Sequence, residues 1–199
     1  LADKQAFGQF PFEITFPQLT LNEIKNGNII NGQKSAFTLT APQDGVYRFD
    51  IGTENVTSYI IKENGAQTDP VIGKDLYCYL RKAEKCTLVI TGNADTAYRL
   101  QFLNVDSLSL NTEKTVTVNH SVYYYSYCNT TSQTQTLLVT ASSAQGTVSH
   151  SWTVIDSRGD TVSAFLFSNY GGAKFSVDPN QTVYIGLNNS AGRTTYDIL

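Results

Sequence analysis

Residues 19–32, "LTLNEIKNGNIING", return in altered form at residues 108–120 as "LSLNTEKTVTVNH". The ending returns too, because "TAYRLQF" at 96–102 resembles "TTYDIL" at 194–199. Between them, "YIIKENG" answers to "TVIDSRG", "LYCYL" to "AKFSV" and "CTLVI" to "VYIGL", in the same order. Self-similarity sustained over so long a span marks a duplicated structural unit. We therefore read two copies of about 85 to 95 residues, each with about seven strands.

The segments within each copy are short, alternate in polarity and are rich in Val, Ile, Thr, Tyr and Phe. Turn signals such as "NG", "APQDG", "ENG", "DPN" and "AGR" separate them, and no stretch keeps a helical period for three turns. The expectation is an all-β protein of two tandem antiparallel β-sandwiches, jelly-roll or immunoglobulin-like, in preference to one large barrel. The division predicted is an N-terminal extension over 1–18, a first sandwich over 19–103 and a second over 104–199. The junction "LNVDS" at 103–107 holds no Gly or Pro and predicts a stiff joint. In the extension, "FGQFPFEITFP" is aromatic enough to pack as an edge strand, whereas "LADKQA" reads as loose chain.

Composition narrows the function classes. Charged residues make up 16% of the 199 and the formal net charge is -3, so no basic footprint exists for nucleic acid. The longest apolar runs fall far short of the roughly 20 residues of a membrane-spanning helix, and membrane insertion is not expected. The start lacks the regions of a signal peptide, so a mature or excised soluble piece is expected. Few charges and many Thr, Ser, Asn and Tyr suggest an extracellular or cell-surface β protein. Cys78, Cys86 and Cys128 lack zinc-ligand spacing. Cys78 and Cys86 flank "YLRKAEK", which reads as a hairpin loop, leaving open either a cross-strand disulfide or two reduced core thiols.

Strand side chains alternate between faces, so a position apolar in both copies predicts an inward residue. "KSAFTL" at 34–39 lies against "VYYYSY" at 122–127, pairing Phe37 with Tyr125 and Leu39 with Tyr127. Those tyrosines are expected in the core, Tyr123 at its rim and Tyr124 outward. The same comparison turns Cys78, Leu80, Cys86, Leu88 and Ile90 inward with Phe175, Val177, Val183, Ile185 and Leu187. Trp152 pairs with Ser58, also on the inward phase. Tyr98 and Tyr196 recur as core or corner residues of the last strand. Tyr77 and Tyr79 fall on the opposite phase, about 7 Å apart at the strand rise, and Tyr59 is likewise outward. Tyr77, Tyr79, Tyr124 and Tyr59 are thus the candidate ligand-binding residues.

Chemistry-bearing motifs are sparse. His120, read in a turn, and His150, at a strand start, have no nucleophile and acid beside them, and no triad, zincin or phosphate-loop pattern occurs. No catalytic residue, metal site or cofactor is assigned. Loop carboxylates such as Asp44 and Asp50, or Asp69 and Asp75, lack a calcium-loop spacing. Asn-x-Ser/Thr patterns occur at Asn55, Asn119, Asn129, Asn180 and Asn188.

The first copy resembles the bacterial pre-peptidase C-terminal domain. The residues carrying this are "FTLTAPQDGVYRFDIG", "SYIIKENG" and "LYCYLRKAEKCTLVITGNADTAYRLQF", with Gly45, Tyr47, Phe49, Gly65, Tyr98 and Leu100 in the family's positions. The second copy has "TQTLLVT" in place of the G-x-Y strand. The resemblance implies a jelly-roll-like, non-catalytic accessory module of a secreted or cell-surface bacterial protein. Some members bind calcium through an acidic N-terminal segment, where this chain has only Glu13 and Glu23. The functional expectation is an accessory module binding a polymer, either polysaccharide or extracellular protein, through exposed aromatic rings. The alternative is a structural spacer or adhesin stalk without ligand. Either form is expected to be monomeric within a larger multidomain chain.

Overall fold

The computed structural model describes residues 16–112, 114–118, 122–143, 150–167, 170–189 and 194–198. Among these are sixteen strands and no helix. The first eight are β1 (Ile24–Ile29), β2 (Lys34–Thr40), β3 (Gly45–Asp50), β4 (Val56–Lys62), β5 (Val71–Ile72), β6 (Asp75–Leu80), β7 (Lys85–Gly92) and β8 (Thr96–Asn104). The second eight are β9 (Lys114–Val118), β10 (Val122–Cys128), β11 (Gln135–Ser143), β12 (His150–Asp156), β13 (Thr161–Phe167), β14 (Tyr170–Val177), β15 (Thr182–Asn189) and β16 (Thr194–Ile198).

The sheets are ordered β1-β8-β3-β6 and β2-β7-β4-β5, then β9-β16-β11-β14 and β10-β15-β12-β13. Adding eight to each strand number converts the first pair of sheets into the second, so the duplication read from the sequence is a duplication of topology. All named strand pairs are antiparallel. Each copy holds eight strands where about seven were expected. The difference is an edge strand that pairs β4 or β12, β5 being only two residues long.

Each sandwich closes on its own core. One core joins Leu19, Phe37, Leu39, Tyr47, Phe49, Ile60 and Phe102, and the other joins Tyr125, Tyr127, Trp152, Val154, Phe175 and Ile185. The inward phase read by comparing copies is the observed one: Tyr125, Tyr127, Trp152, Cys78, Cys86 and their counterparts are all buried. Aromatic mass is distributed differently in the two. Phe49 stacks on Phe102 at 5.2 Å in the first, whereas Trp152 stacks on Phe165 at 6.4 Å in the second. Tyr98 is half-buried and meets Phe37 edge-on; the side chain of Tyr196 lies outside the described residues.

One expectation changes and one open alternative closes. "YLRKAEK" is not a hairpin loop, because β6 and β7 belong to opposite sheets and the segment crosses between them. A tight turn looks the same locally whether its strands pair or face each other. Ala83 takes a positive φ of 63° there, as Asn180 does at 59° in the equivalent turn of the second copy. Cys78 and Cys86 therefore enter the core from facing sheets, as free buried thiols. Burial pushes them up to about 11 and about 12 respectively.

Of the predicted extension, residues 1–15 lie outside the described residues. The chain from residue 16 to β1 forms a strap across the first sandwich. Thr38 and the segment 17–19 exchange backbone hydrogen bonds of 3.0 and 2.7 Å, and Ser126 and the segment 106–108 exchange two of 2.8 Å. Asn22 and Asn111, at φ of 66° and 55°, turn the two straps toward β1 and β9 at matching positions.

Thiol accessibility tests this arrangement. Cys128 is expected to react with a thiol reagent at pH 8 in the native protein while Cys78 and Cys86 react only on denaturation, as stopped-flow titration would count. Two or more fast thiols in native protein would contradict the packing.

Candidate functional site

The outward phases of β3 and β6 do not face water throughout. Val46, Tyr77 and Tyr79 on these strands, with Val105 beyond β8, meet Tyr124 of β10, Ile155 of β12 and Tyr184 of β15 in a third apolar cluster. The sheet β1-β8-β3-β6 thereby packs on the sheet β10-β15-β12-β13, and the two sandwiches share a contact built mainly of tyrosines.

Strand register places each ring. In the β3–β6 pairing Tyr77 lies opposite Arg48 and Tyr79 opposite Val46. Tyr77 meets Tyr123 at 5.0 Å and Tyr124 at 6.1 Å, both tilted. The Tyr79 hydroxyl donates to the carbonyl oxygen of Ser157 at 3.0 Å, and its ring lies over Gly159, where an added Cβ would come within 2.8 Å. Tyr124 lies across Gly186 in the same way, at 2.6 Å. Glycines in the β12–β13 turn and on β15 thus seat rings from other strands. Gly159 also holds φ at 86°, within the turn that brings Ser157 to Tyr79.

One charged network borders the contact. Arg48 Nε donates to Asp75 Oδ1 at 2.7 Å, its Nη2 lies 3.4 Å from Asp50 Oδ2, and its guanidinium sits 5.9 Å over the Tyr123 ring. Burial works against the Arg48 charge, and Asp75 together with Tyr77 and Tyr123 outweighs it, so the guanidinium stays protonated. Asp75 is raised by burial although Arg48 opposes the shift. Burial also drives the Tyr77 phenol far above its ordinary range, with Tyr123 adding to the rise.

Tyr77, Tyr79 and Tyr124 come together, but as half-buried parts of a contact and not as the open platform expected of them. Alternation shows only that a side chain leaves its own core; what meets the other face depends on how sandwiches dock. Tyr59 is half-buried on β4, in the sheet away from this contact, and does not join them. Val46, Val105, Ile155 and Tyr184 complete the contact without having been candidates in the sequence. A signal for all four tyrosines of the contact existed: Tyr77 and Tyr79 answer to exposed Lys174 and Ser176, while Tyr124 and Tyr184 answer to Ala36 and Thr87. Outward rings present in only one copy mark a surface that only one copy needs.

Other candidate groups have structural partners. Asp44 accepts from the Lys82 amide at 2.7 Å, and Asp156 accepts from the amides of Arg158 and Asp160 at 2.9 and 3.0 Å. Asn129 is fully buried and donates to the carbonyls of Gln133 and Val177, so its glycosylation pattern is internal. Asn55 and Asn180 are exposed. His120, and the side chains of His150, Asn119 and Asn188, lie outside the described residues. Among those described, no group of three or more potential metal ligands occurs.

Two substitutions probe the contact. Tyr79→Phe removes the bond to Ser157 and is expected to cost about 1 kcal/mol in chemical denaturation. The Tyr77 hydroxyl is sealed without a partner of hydrogen-bond geometry, so Tyr77→Phe is expected to be neutral or stabilising. The phenol's folded pKa lies above its unfolded value of 10.0, so its titration leaves stability untouched below pH 10 and lowers it as pH rises beyond that and the unfolded phenol ionises. Tyr77→Phe should flatten that alkaline decline; an unchanged slope would contradict the burial.

No protein-family model matches the sequence, and no curated protein matches it. Among solved structures, the pre-peptidase C-terminal domain of a collagenase from Bacillus anthracis is similar at 17% identity and a TM-score of 0.37, over 44% of this chain and 94% of that one. The CUB1-EGF-CUB2 domains of rat MASP-1 are similar at 7% identity and a TM-score of 0.28, over 91% of this chain and 99% of that one.

Proposed function

We propose that the chain is a non-catalytic extracellular or cell-surface module whose two sandwiches work as one stiff unit, a spacer that sets the distance between whatever it joins. The observation supporting this is the tyrosine contact. Tyr77, Tyr79 and Tyr124, the rings best suited to stack on a polymer, are spent on holding one sandwich against the other. The junction supports the same reading, because Val105 is buried in the contact and the next residues are strapped to β10. Little freedom remains for a hinge. The buried carboxylates Asp75 and Asp156 are each engaged by an arginine, which suits a structural role better than paired acid and base.

Binding of polysaccharide or extracellular protein at Tyr77, Tyr79 and Tyr124 requires the sandwiches to part. It is the weaker reading for that reason.

Small-angle scattering on the full chain tests the proposal. The wild type is expected to fit a single rigid envelope and to unfold in one transition. Ile155→Asp places a carboxylate in the contact, is expected to cost roughly 2 to 4 kcal/mol, and should broaden the envelope and split the transition. A wild type that already scatters as two freely jointed bodies, or that is retained saturably on an insoluble polysaccharide, would overturn the spacer reading.

A further inference from the structure

The sheet edges of the two copies are guarded unequally. In the first sandwich the sheet β2-β7-β4-β5 ends in β5, which pairs β4 only at Val71 and Ile72. Pro70 precedes those residues, Gly73 follows at a φ of 127°, and Asp69 and Lys74 add charge on either side. An edge so short, closed by proline and flanked by charge, is poorly suited to extend its sheet into another chain. β2 and β10 are covered by the straps at Thr38 and Ser126. β14 carries Lys174 and the pair Gly171 and Gly172.

β13 has none of these devices except one bulge. It runs seven residues as TVSAFLF, without charge, Gly or Pro, and ends the sheet β10-β15-β12-β13 on the side of β12 away from β15. A register shift between Val154 and Ile155 places the bulge at Val162 and leaves 163–167 as the regular edge. Phe165 lies opposite Trp152 and stacks on it at 6.4 Å, facing the core, so Ala164 and Leu166 on the alternate phase face out. Both are exposed, Leu166 to 77%. The joins on either side of β13, 157–160 and 168–169, are too short to supply a strand for this edge, and the last strand, β16, lies in the opposite sheet.

We propose that β13 is a homodimerisation edge: it pairs antiparallel with β13 of a second copy about a two-fold axis at Phe165, joining two four-stranded sheets into one. Two identical strands can pair this way only if no charge meets its like. The stretch 163–167 carries no charge, and Asp160 falls beyond the end of the second copy's strand. About that axis Ala164 lies opposite Leu166 of the second copy, large against small, and the same pair recurs on the other side. On the inner face Phe165 meets its own copy. A pairing of so few residues makes a small interface, so association in the micromolar range is expected. The proposal does not rest on the spacer reading, since Ser163, Ala164, Phe165 and Leu166 are not members of the tyrosine contact.

The test is sedimentation equilibrium of the full chain at concentrations up to about 0.1 mM. The wild type is expected to dimerise, with hydrogen exchange at 163–167 slowing as concentration rises while exchange in β7 stays constant. The double variant Ala164→Lys/Leu166→Lys changes only exposed side chains and sets like charges opposite each other, so its dimer should be about fivefold weaker or lost. Ala164→Glu/Leu166→Glu should behave alike, and mixing the two variants should restore a dimer holding one of each. Native fluorescence of Trp152, which stacks beside this edge, verifies that each variant is folded. A wild type that stays monomeric throughout, exchange at 163–167 that ignores concentration, a Lys variant that dimerises as the wild type does, or folded Lys and Glu variants that stay apart when mixed would each overturn the proposal.

Discussion

A β-strand has two faces, and burying one leaves the other to be settled by different means. In each sandwich the first face forms the core that folds the unit. The second face of one sheet in each copy is then covered by the neighbouring sandwich, through Tyr77, Tyr79, Tyr124 and Tyr184. Everything particular to this protein lies in that second burial, because the cores alone would yield two similar modules with nothing to fix their relative position.

The contact is unsymmetrical. It joins the β1-type sheet of the first copy to the β2-type sheet of the second, so the surfaces that meet are different surfaces of the repeated unit. Such pairing can in principle continue without end. The second copy presents Thr136, Leu138, Lys174 and Ser176 where the first presents Val46, Arg48, Tyr77 and Tyr79, so its matching face lacks the tyrosines that make this contact. The cores keep their inward phase while changing side chains, as Cys78 against Phe175 and Phe49 against Val139 do, whereas the outward Val46, Tyr77 and Tyr79 change to hydrophilic residues.

This explains what could be read from residues alone. Comparing copies identified the inward phase because Phe37 and Tyr125, or Leu80 and Val177, answer to the same demand. The all-β class was legible in turns and periodicity. The crossing at "YLRKAEK" was not, because a tight turn between facing sheets has the local pattern of one between paired strands. The candidate site was half legible. Tyr77, Tyr79 and Tyr124 do project away from their own cores, yet their neighbours come from residues 45 to 107 positions distant in sequence, roughly the scale of a whole repeat. No local pattern carries that information; the contrast of Tyr77 with Lys174 and Tyr184 with Thr87 does.

The strap that enters the second sandwich is the direct continuation of β8 in the first. Tension along the backbone would run through the β8 ladder, past Val105, and into the two hydrogen bonds between 106–108 and Ser126. Those bonds lie along an extended segment held beside β10, so they would be loaded together in shear and not peeled one at a time. The seam between the repeats would accordingly bear load in shear, as the matching bonds at Thr38 would on the N-terminal side.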